Sequence, residues 1–264
     1  MTLFKYAYNI LLQMDTFAKD PVTSGNKNVI VTENKNDMIS IIFNEFSKIV
    51  QDSQSLVTVG LSGGSMVGIM SDVISRLDQS LKDKLRLFCV DERLVSLDDE
   101  DSNTGAYLKV LGNEFKKQFV IVEEINDANK AAKEFEENLK ALKPETTESL
   151  PQFDVLFLGM GPDGHTCSLF PNHELLNYNG SSWILPIENS PKPPPRRVTV
   201  SLPVCNAAKN VIFIVTGESK AEILKEIIAD KSESYPAGLV KATKLKWILD
   251  KPAAKLLGIE AAKF

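Results

Sequence analysis

The residues of this chain that can do chemistry concentrate in one turn. The stretch GMGPDGHTCSLFP, residues 159–171, follows an apolar run, Phe153 to Leu158, that reads as a buried strand. Its glycines and Pro162 force a tight turn that carries His165, one of only two histidines in the protein. An imidazole titrates near neutrality, so His165 is a candidate general base. Asp163, two residues earlier, can orient it or raise its pKa. The competing reading is a loop histidine that bonds backbone to hold the turn. Cys167 is close in sequence, but a buried cysteine is usually a small apolar residue, and no second element supports a Cys–His dyad. His173 lies in a polar loop without a partner pattern and reads as surface.

Two more loops follow apolar runs. Ser62-Gly63-Gly64-Ser65 separates a β-branched strand, Leu56 to Leu61, from a helical stretch, Met66 to Leu77. Glycine lets backbone N–H groups approach a ligand, a helix N-terminus adds partial positive charge, and serine adds hydroxyls, a combination suited to phosphate. The loop lacks the Lys-Ser/Thr ending of a Walker A motif and the G-x-G-x-x-G spacing, so a plain turn with serine as N-cap stands beside the phosphate reading. Asp91-Glu92-Arg93 ends the strand Leu85 to Val90. Arg93 offers a planar fork for phosphate or carboxylate, with Asp91 or Glu92 to orient it, although a surface ion pair is the commoner fate of such triplets. The acidic tract 98–101 reads as a solvated loop and matches no calcium-loop spacing. Lys192-Pro193-Pro194-Pro195-Arg196-Arg197 can serve as a polyproline ligand, but it runs into a strand and reads better as a rigid loop placing Arg197. Lys220, near a helix start where cations are disfavoured, is either held for an anionic ligand or solvated.

The elements that must position these loops alternate. A helix over Asp37 to Val50 presents one apolar face, and Asn129 to Leu142 is a charged amphipathic helix. Phe119 to Val122, Trp183 to Ile187, Val198 to Leu202 and Val211 to Val215 read as strands. Leu245 to Leu249 reads as a last edge strand, and residues 143–152 as a polar loop. Ser219-Lys220-Ala221-Glu222 reads as a capping box opening another helix. Alternation of this kind predicts an α/β fold, a single domain with a mainly parallel sheet and helices on both faces, whose loops converge at the carboxyl ends of the strands.

Composition sets limits. The 264 residues suffice for a sizeable core, and 43% hydrophobic with 25% charged residues is ordinary for a globular chain. A net charge of −5 argues against nucleic acid as a partner and requires a local basic site for any anionic substrate. Three widely spaced cysteines suggest neither a disulfide framework nor a zinc site, and fit a reducing, cytoplasmic setting. No apolar run reaches membrane-span length. Residues 1–26 read as an N-terminal extension without signal-peptide features, and residues 27–264 as the catalytic domain.

From about Val57 onward the chain resembles the 6-phosphogluconolactonases. The resemblance rests on Ser62–Ser65, Asp91–Arg93, DSNTG at 101–105, the 159–171 turn, PPPRRVT at 193–199, GESKA at 217–221 and YPA at 235–237. It implies a fold shared with glucosamine-6-phosphate deaminase/isomerases. It also implies hydrolysis of 6-phosphoglucono-δ-lactone, the second step of the oxidative pentose phosphate route, with no metal or organic cofactor. His165, Arg93 and Asp163 are the catalytic candidates. Ser62, Gly63, Gly64, Ser65, Arg197 and Lys220 fall around the substrate phosphate, and Asp91, Asn103 and Gly161 complete the substrate contacts. A monomer acting on a small sugar phosphate is expected. The alternatives are a glucosamine-6-phosphate deaminase, whose acid–base pattern is not seen here, and a non-catalytic phosphosugar-binding protein. Arg196 and Thr104 depart from the family pattern, outside the matched catalytic positions.

Overall fold

The structure, a computed structural model, describes residues 28–261; the expected extension over 1–26 lies outside them. Twelve strands occur among these residues: β1 Val29–Thr32, β2 Val57–Leu61, β3 Leu85–Cys89, β4 Asp91–Arg93, β5 Phe119–Val120, β6 Thr146–Thr147, β7 Leu150–Pro151, β8 Val155–Leu158, β9 Ile184–Ile187, β10 Arg197–Val200, β11 Val211–Val215 and β12 Leu245–Asp250. Seven form one sheet in the order β1-β12-β11-β8-β2-β3-β5. Every pairing within it is parallel.

Parallel strands covered on both faces read as continuous apolar runs whose alternate residues point to opposite sides. In β8, Val155 and Phe157 join a core beneath the helices Lys35–Asp52, Met66–Ser75 and Asn103–Leu111, while Leu156 and Leu158 join the opposite core beneath Ala128–Ala141 and Ala221–Ile228. The chain runs outward from β2 through β3 to β5. It then returns to β8 on the other side of β2 and continues outward through β11 and β12. Strand order therefore reverses between β2 and β8, and ligands of open α/β sheets bind at such a switch point.

Several expectations are corrected. The strand over Leu245–Asp250 is internal, paired with β1 and β11, and the edge is β1, which has no counterpart among the expected elements. The segments at Ile184–Ile187 and Arg197–Val200 leave the parallel sheet and form a small antiparallel sheet, β4-β10-β9, with Asp91–Arg93. The polar loop 143–152 contains the β6–β7 hairpin. The helix Ala221–Ile228 has no side-chain cap from Ser219, because a 3₁₀ turn over Glu218–Lys220 precedes it, and Lys220 N–H bonds Gly217 O at 3.3 Å.

One buried carboxylate anchors the region beside the switch point. Glu92 Oε1 accepts from the N–H groups of Arg93 at 2.9 Å and Asn103 at 2.8 Å, and Oε2 accepts from Thr104 N–H at 2.7 Å. Ser102 Oγ accepts from Gly105 N–H at 2.9 Å, so the first turn of the Asn103–Leu111 helix is satisfied by two side chains. Burial holds the Glu92 carboxyl above its ordinary range, and the N–H donors oppose that shift. Asp91 and Glu92 are thus buried, not a surface ion pair. Glu92→Ala strands these donors and is expected to lower stability by about 3 kcal/mol, read as a fall in the denaturation midpoint with unchanged slope.

Candidate active site

At the switch point the loops after β2, β3 and β8 meet the end of β11 around a cleft of ≈ 270 Å³. The expected loop residues Ser62, Gly63, Gly64, Ser65, Asp91, Arg93, Asn103, Gly161, His165, Arg197 and Lys220 all line it. Asp163 stands behind His165. Sequence reasoning did not single out Met66, Met160, Ile214, Val215 and Thr216, which complete the wall. They lie in or beside apolar runs, where no residue type signals a site.

The two loops flanking the reversal are tied together. Ser62 Oγ accepts from Gly159 N–H at 3.0 Å, Tyr107 Oη donates to Ser62 O at 2.8 Å, and Thr166 Oγ1 donates to Gly159 O at 2.9 Å. Gly63 is needed for close approach, since a Cβ there would lie 1.8 Å from Asn103 Oδ1. Asn103 Nδ2 in turn donates to Asp91 O at 2.9 Å. Ser65 makes no capping bond to the Met66–Ser75 helix. The N–H groups of Gly63, Gly64 and Ser65 donate to no acceptor among the described residues.

The 159–171 turn folds its histidine back over itself. Gly161 N–H donates to His165 O at 2.9 Å, and a Cβ on Gly161 would meet the imidazole at 2.1 Å. His165 Nδ1 bonds Asp163 Oδ1 at 2.5 Å, and the ring packs on Phe170 with centroids 4.9 Å apart. Asp163 Oδ2 pairs with Lys192 Nζ at 2.7 Å. Burial works against ionisation of Asp163, but bonds from Lys192 and His165 outweigh it and bring its pKa down to about 2. Burial lowers the His165 pKa, with Asp163 pulling up and Lys192 down. A neutral ring that donates from Nδ1 to Asp163 presents Nε2 as an acceptor, and no described residue bonds Nε2.

The basic residues differ from expectation in detail. Arg93 and Arg197 are register partners across β4 and β10. Asp91 lies close to both: Arg93 Nε is 3.9 Å from Asp91 Oδ2, which accepts from Ser168 Oγ at 2.7 Å, and Arg197 Nη1 donates to that hydroxyl at 3.2 Å. Arg93 Nη1 donates to Asp101 O at 3.0 Å, while its Nε is buried without a hydrogen-bond acceptor. Arg197 donates to three carbonyls of the Pro-rich bend: Pro194 through Nε at 3.0 Å, and Lys192 and Pro193 through Nη2 at 2.9 Å each. The expected order of support is reversed: the bend does not place Arg197, and buried Arg197 holds the bend. Lys220 Nζ donates to Thr216 O at 2.9 Å at the cleft wall. Cys167 lines the cleft, but the neighbouring Cys205 thiol and burial push its thiol well up, the opposite of an activated nucleophile. His173 accepts from Leu175 N–H at 3.3 Å and caps a 3₁₀ turn. Arg196 points away to Asn126 O, and Thr104 is buried against Cys89, so the two departures from the family pattern lie outside the cleft. No group of three or more His, Cys, Asp or Glu side chains among the described residues is placed to hold a metal, and no described helix is long and apolar enough to cross a membrane.

An open parallel sheet with a cation-lined cleft at its reversal places this chain among the open-sheet α/β proteins. Residues 33–249 match the family model described as glucosamine-6-phosphate isomerases/6-phosphogluconolactonase, and the chain belongs to that family. It is 42% identical over 223 residues to the 6-phosphogluconolactonase of Bos taurus, covering 80% of this chain and 85% of that one. To the 6-phosphogluconolactonase of Homo sapiens it is 42% identical over 216 residues, covering 78% and 82%. The solved 6-phosphogluconolactonase from Trypanosoma cruzi superposes with a TM-score of 0.77 at 27% identity, covering 89% of this chain and 98% of that one.

Arg197→Ala is expected to lower stability by about 3 kcal/mol and to open residues 190–195 to limited proteolysis. Arg197→Lys should rescue little, since an ammonium cannot reach three carbonyls through a fixed fork.

Proposed function

We propose that the protein hydrolyses 6-phosphoglucono-δ-lactone to 6-phosphogluconate, with His165 as general base. The observation that carries this reading is the imidazole held at Nδ1 by Asp163, with Nε2 unbonded, in the cleft that Arg93 and Lys220 line. Nε2 takes a proton from water as the water oxygen bonds to the lactone carbonyl carbon. The C–O bond to the ring oxygen then breaks, and the imidazolium returns its proton to that oxygen, leaving an acid and a free hydroxyl. The acid releases its proton to solvent.

Arg93 is the oxyanion donor in this reading. Its guanidinium lines the cleft with His165, and its Nη2 donates to no described residue. The N–H groups of Gly159, Gly161 and Gly164 are used within the loops, which leaves Gly63, Gly64 and Ser65 for the phosphate, with Lys220. Arg93 and Arg197 are cross-strand partners whose like charges Asp91 opposes, directly at Arg93 and through the Ser168 hydroxyl at Arg197, so both cations stay at the cleft. Phosphate anchoring then positions the carbonyl for attack. Residues 27–264 form the catalytic unit of this reading, acting as a monomer; the acidic balance supports independence from nucleic acid, and three free thiols support a cytoplasmic setting.

Lactone disappearance, measured with and without purified protein at mildly acidic pH where the spontaneous background is slower, tests the activity. His165→Asn is expected to cut kcat by ~10²–10⁴. Lys220→Ala is expected to raise KM with little change in kcat. Ammonia release from glucosamine 6-phosphate would replace this reading by the deaminase, and sugar-phosphate binding without turnover by a binding protein.

A further inference from the structure

We propose that Lys192 is a positioning residue for His165, carried on a bend that the protein fixes independently of the lysine side chain. The inference deepens the general-base reading and rests on it for its kinetic part. Ser190 N–H donates to Pro195 O at 2.9 Å and closes the bend, and Arg197 clamps the carbonyls of residues 192–194 from below. The lysine backbone is thereby held before its ammonium makes any contact. From there Nζ lies 2.7 Å from Asp163 Oδ2 and 3.3 Å from His165 Nδ1, and 5.8 Å from the Phe170 centroid that also supports the imidazole. Each oxygen of one carboxylate therefore has its own partner, Oδ1 the imidazole and Oδ2 the ammonium. That division fixes the carboxylate plane, keeps Nδ1 as the protonated nitrogen and leaves Nε2 as the base.

An isolated exposed ion pair does little. This pair differs because one partner sits on a clamped backbone and the other is bonded to the reacting side chain. The charged groups around the imidazole are Asp163 on its own turn, Lys192 on the bend and Asp91 on β4, with Arg93, Arg197 and Lys220 lining the same cleft. Asp163 and Asp91 favour the imidazolium, and Lys192 favours the neutral ring. Removing Lys192 therefore raises the His165 pKa, and removing the Asp163 charge lowers it. A purely structural role for the lysine leaves the His165 midpoint where it is when Lys192 is replaced, and the Asp163 variant serves as the control of opposite sign.

The test titrates His165 by NMR in the wild-type protein and in Lys192→Met, Lys192→Arg and Asp163→Asn variants. With two histidines in the chain, His173→Gln completes the assignment. Lys192→Met should move the His165 midpoint up, Asp163→Asn should move it down, and Lys192→Arg should stay near wild type. In turnover, Lys192→Met should lose roughly 10-fold in kcat with KM little changed, less than removing the base itself, and the low-pH limb of kcat/KM should move up. Lys192→Gln serves as a second neutral variant should Lys192→Met fail to fold. An unshifted His165 midpoint in the folded neutral variant overturns the proposal. The titration needs no substrate, so a wild-type protein without lactone turnover would refute the proposed reaction while the fate of Lys192 is still decided.

Discussion

Burial of the Arg197 guanidinium is the constraint on which the site depends. A charge that is 3% exposed must have its donors satisfied and its charge opposed. Arg197 meets the first need with three carbonyls and the Ser168 hydroxyl, and Asp91 meets the second through that same hydroxyl. The solution has a direction. The carbonyls belong to the bend that carries Lys192, and the hydroxyl belongs to the turn that carries His165. One buried cation thus links β10, the Pro-rich bend and the loop after β8, three segments that share no regular pairing. The ends of this linkage meet again at Asp163, where lysine and histidine share one carboxylate.

The parallel sheet positions the rest. Because order reverses between β2 and β8, the loop after each strand turns away from its neighbour and leaves a crevice between them. The chain closes that crevice from below with Ser62 bonded to Gly159, and from the side with Asn103, whose helix is anchored by Glu92. The small sheet β4-β10-β9 then brings two arginines into register at its rim. An acidic protein thereby keeps a local cation-rich pocket against its own overall field, which is what an anionic ligand requires.

Much of this was legible in the residues. Two-sided apolar runs such as Val211–Val215 mark buried parallel strands, and glycine-dense strand ends mark the cleft. The motif positions fall together as the resemblance implied. What could not be read is pairing between distant segments. Nothing near Arg197 in sequence says that its strand leaves the main sheet to lie antiparallel to Asp91–Arg93, because a four-residue run looks the same in either arrangement. Hence the sequence offers its donors to a ligand, while in the fold most of them serve the bend. The serine–glutamate spacing at 219–222 fits a capping box, yet the preceding 3₁₀ turn leaves it unformed. Lys192, read only as part of a Pro-rich run, takes its significance from Asp163, twenty-nine residues away in sequence and 2.7 Å away in space.

The electrostatics of the imidazole follow from that last contact. A general base near neutral pH must be mostly unprotonated yet still attract a proton strongly. Burial alone would satisfy the first condition at the expense of the second, by making the ring a weaker base. A bare carboxylate partner would do the reverse and hold it protonated. Placing one carboxylate between imidazole and ammonium moderates both pulls: the aspartate stays ionised and, in the proposed reaction, would stabilise the imidazolium, while the lysine opposes its upward pull on the imidazole pKa. The balance rests on two close contacts, 2.5 Å to the imidazole and 2.7 Å to the ammonium, so it needs a rigid mount. The Arg197 clamp supplies one, and the buried guanidinium and the proposed base are parts of one mechanical arrangement.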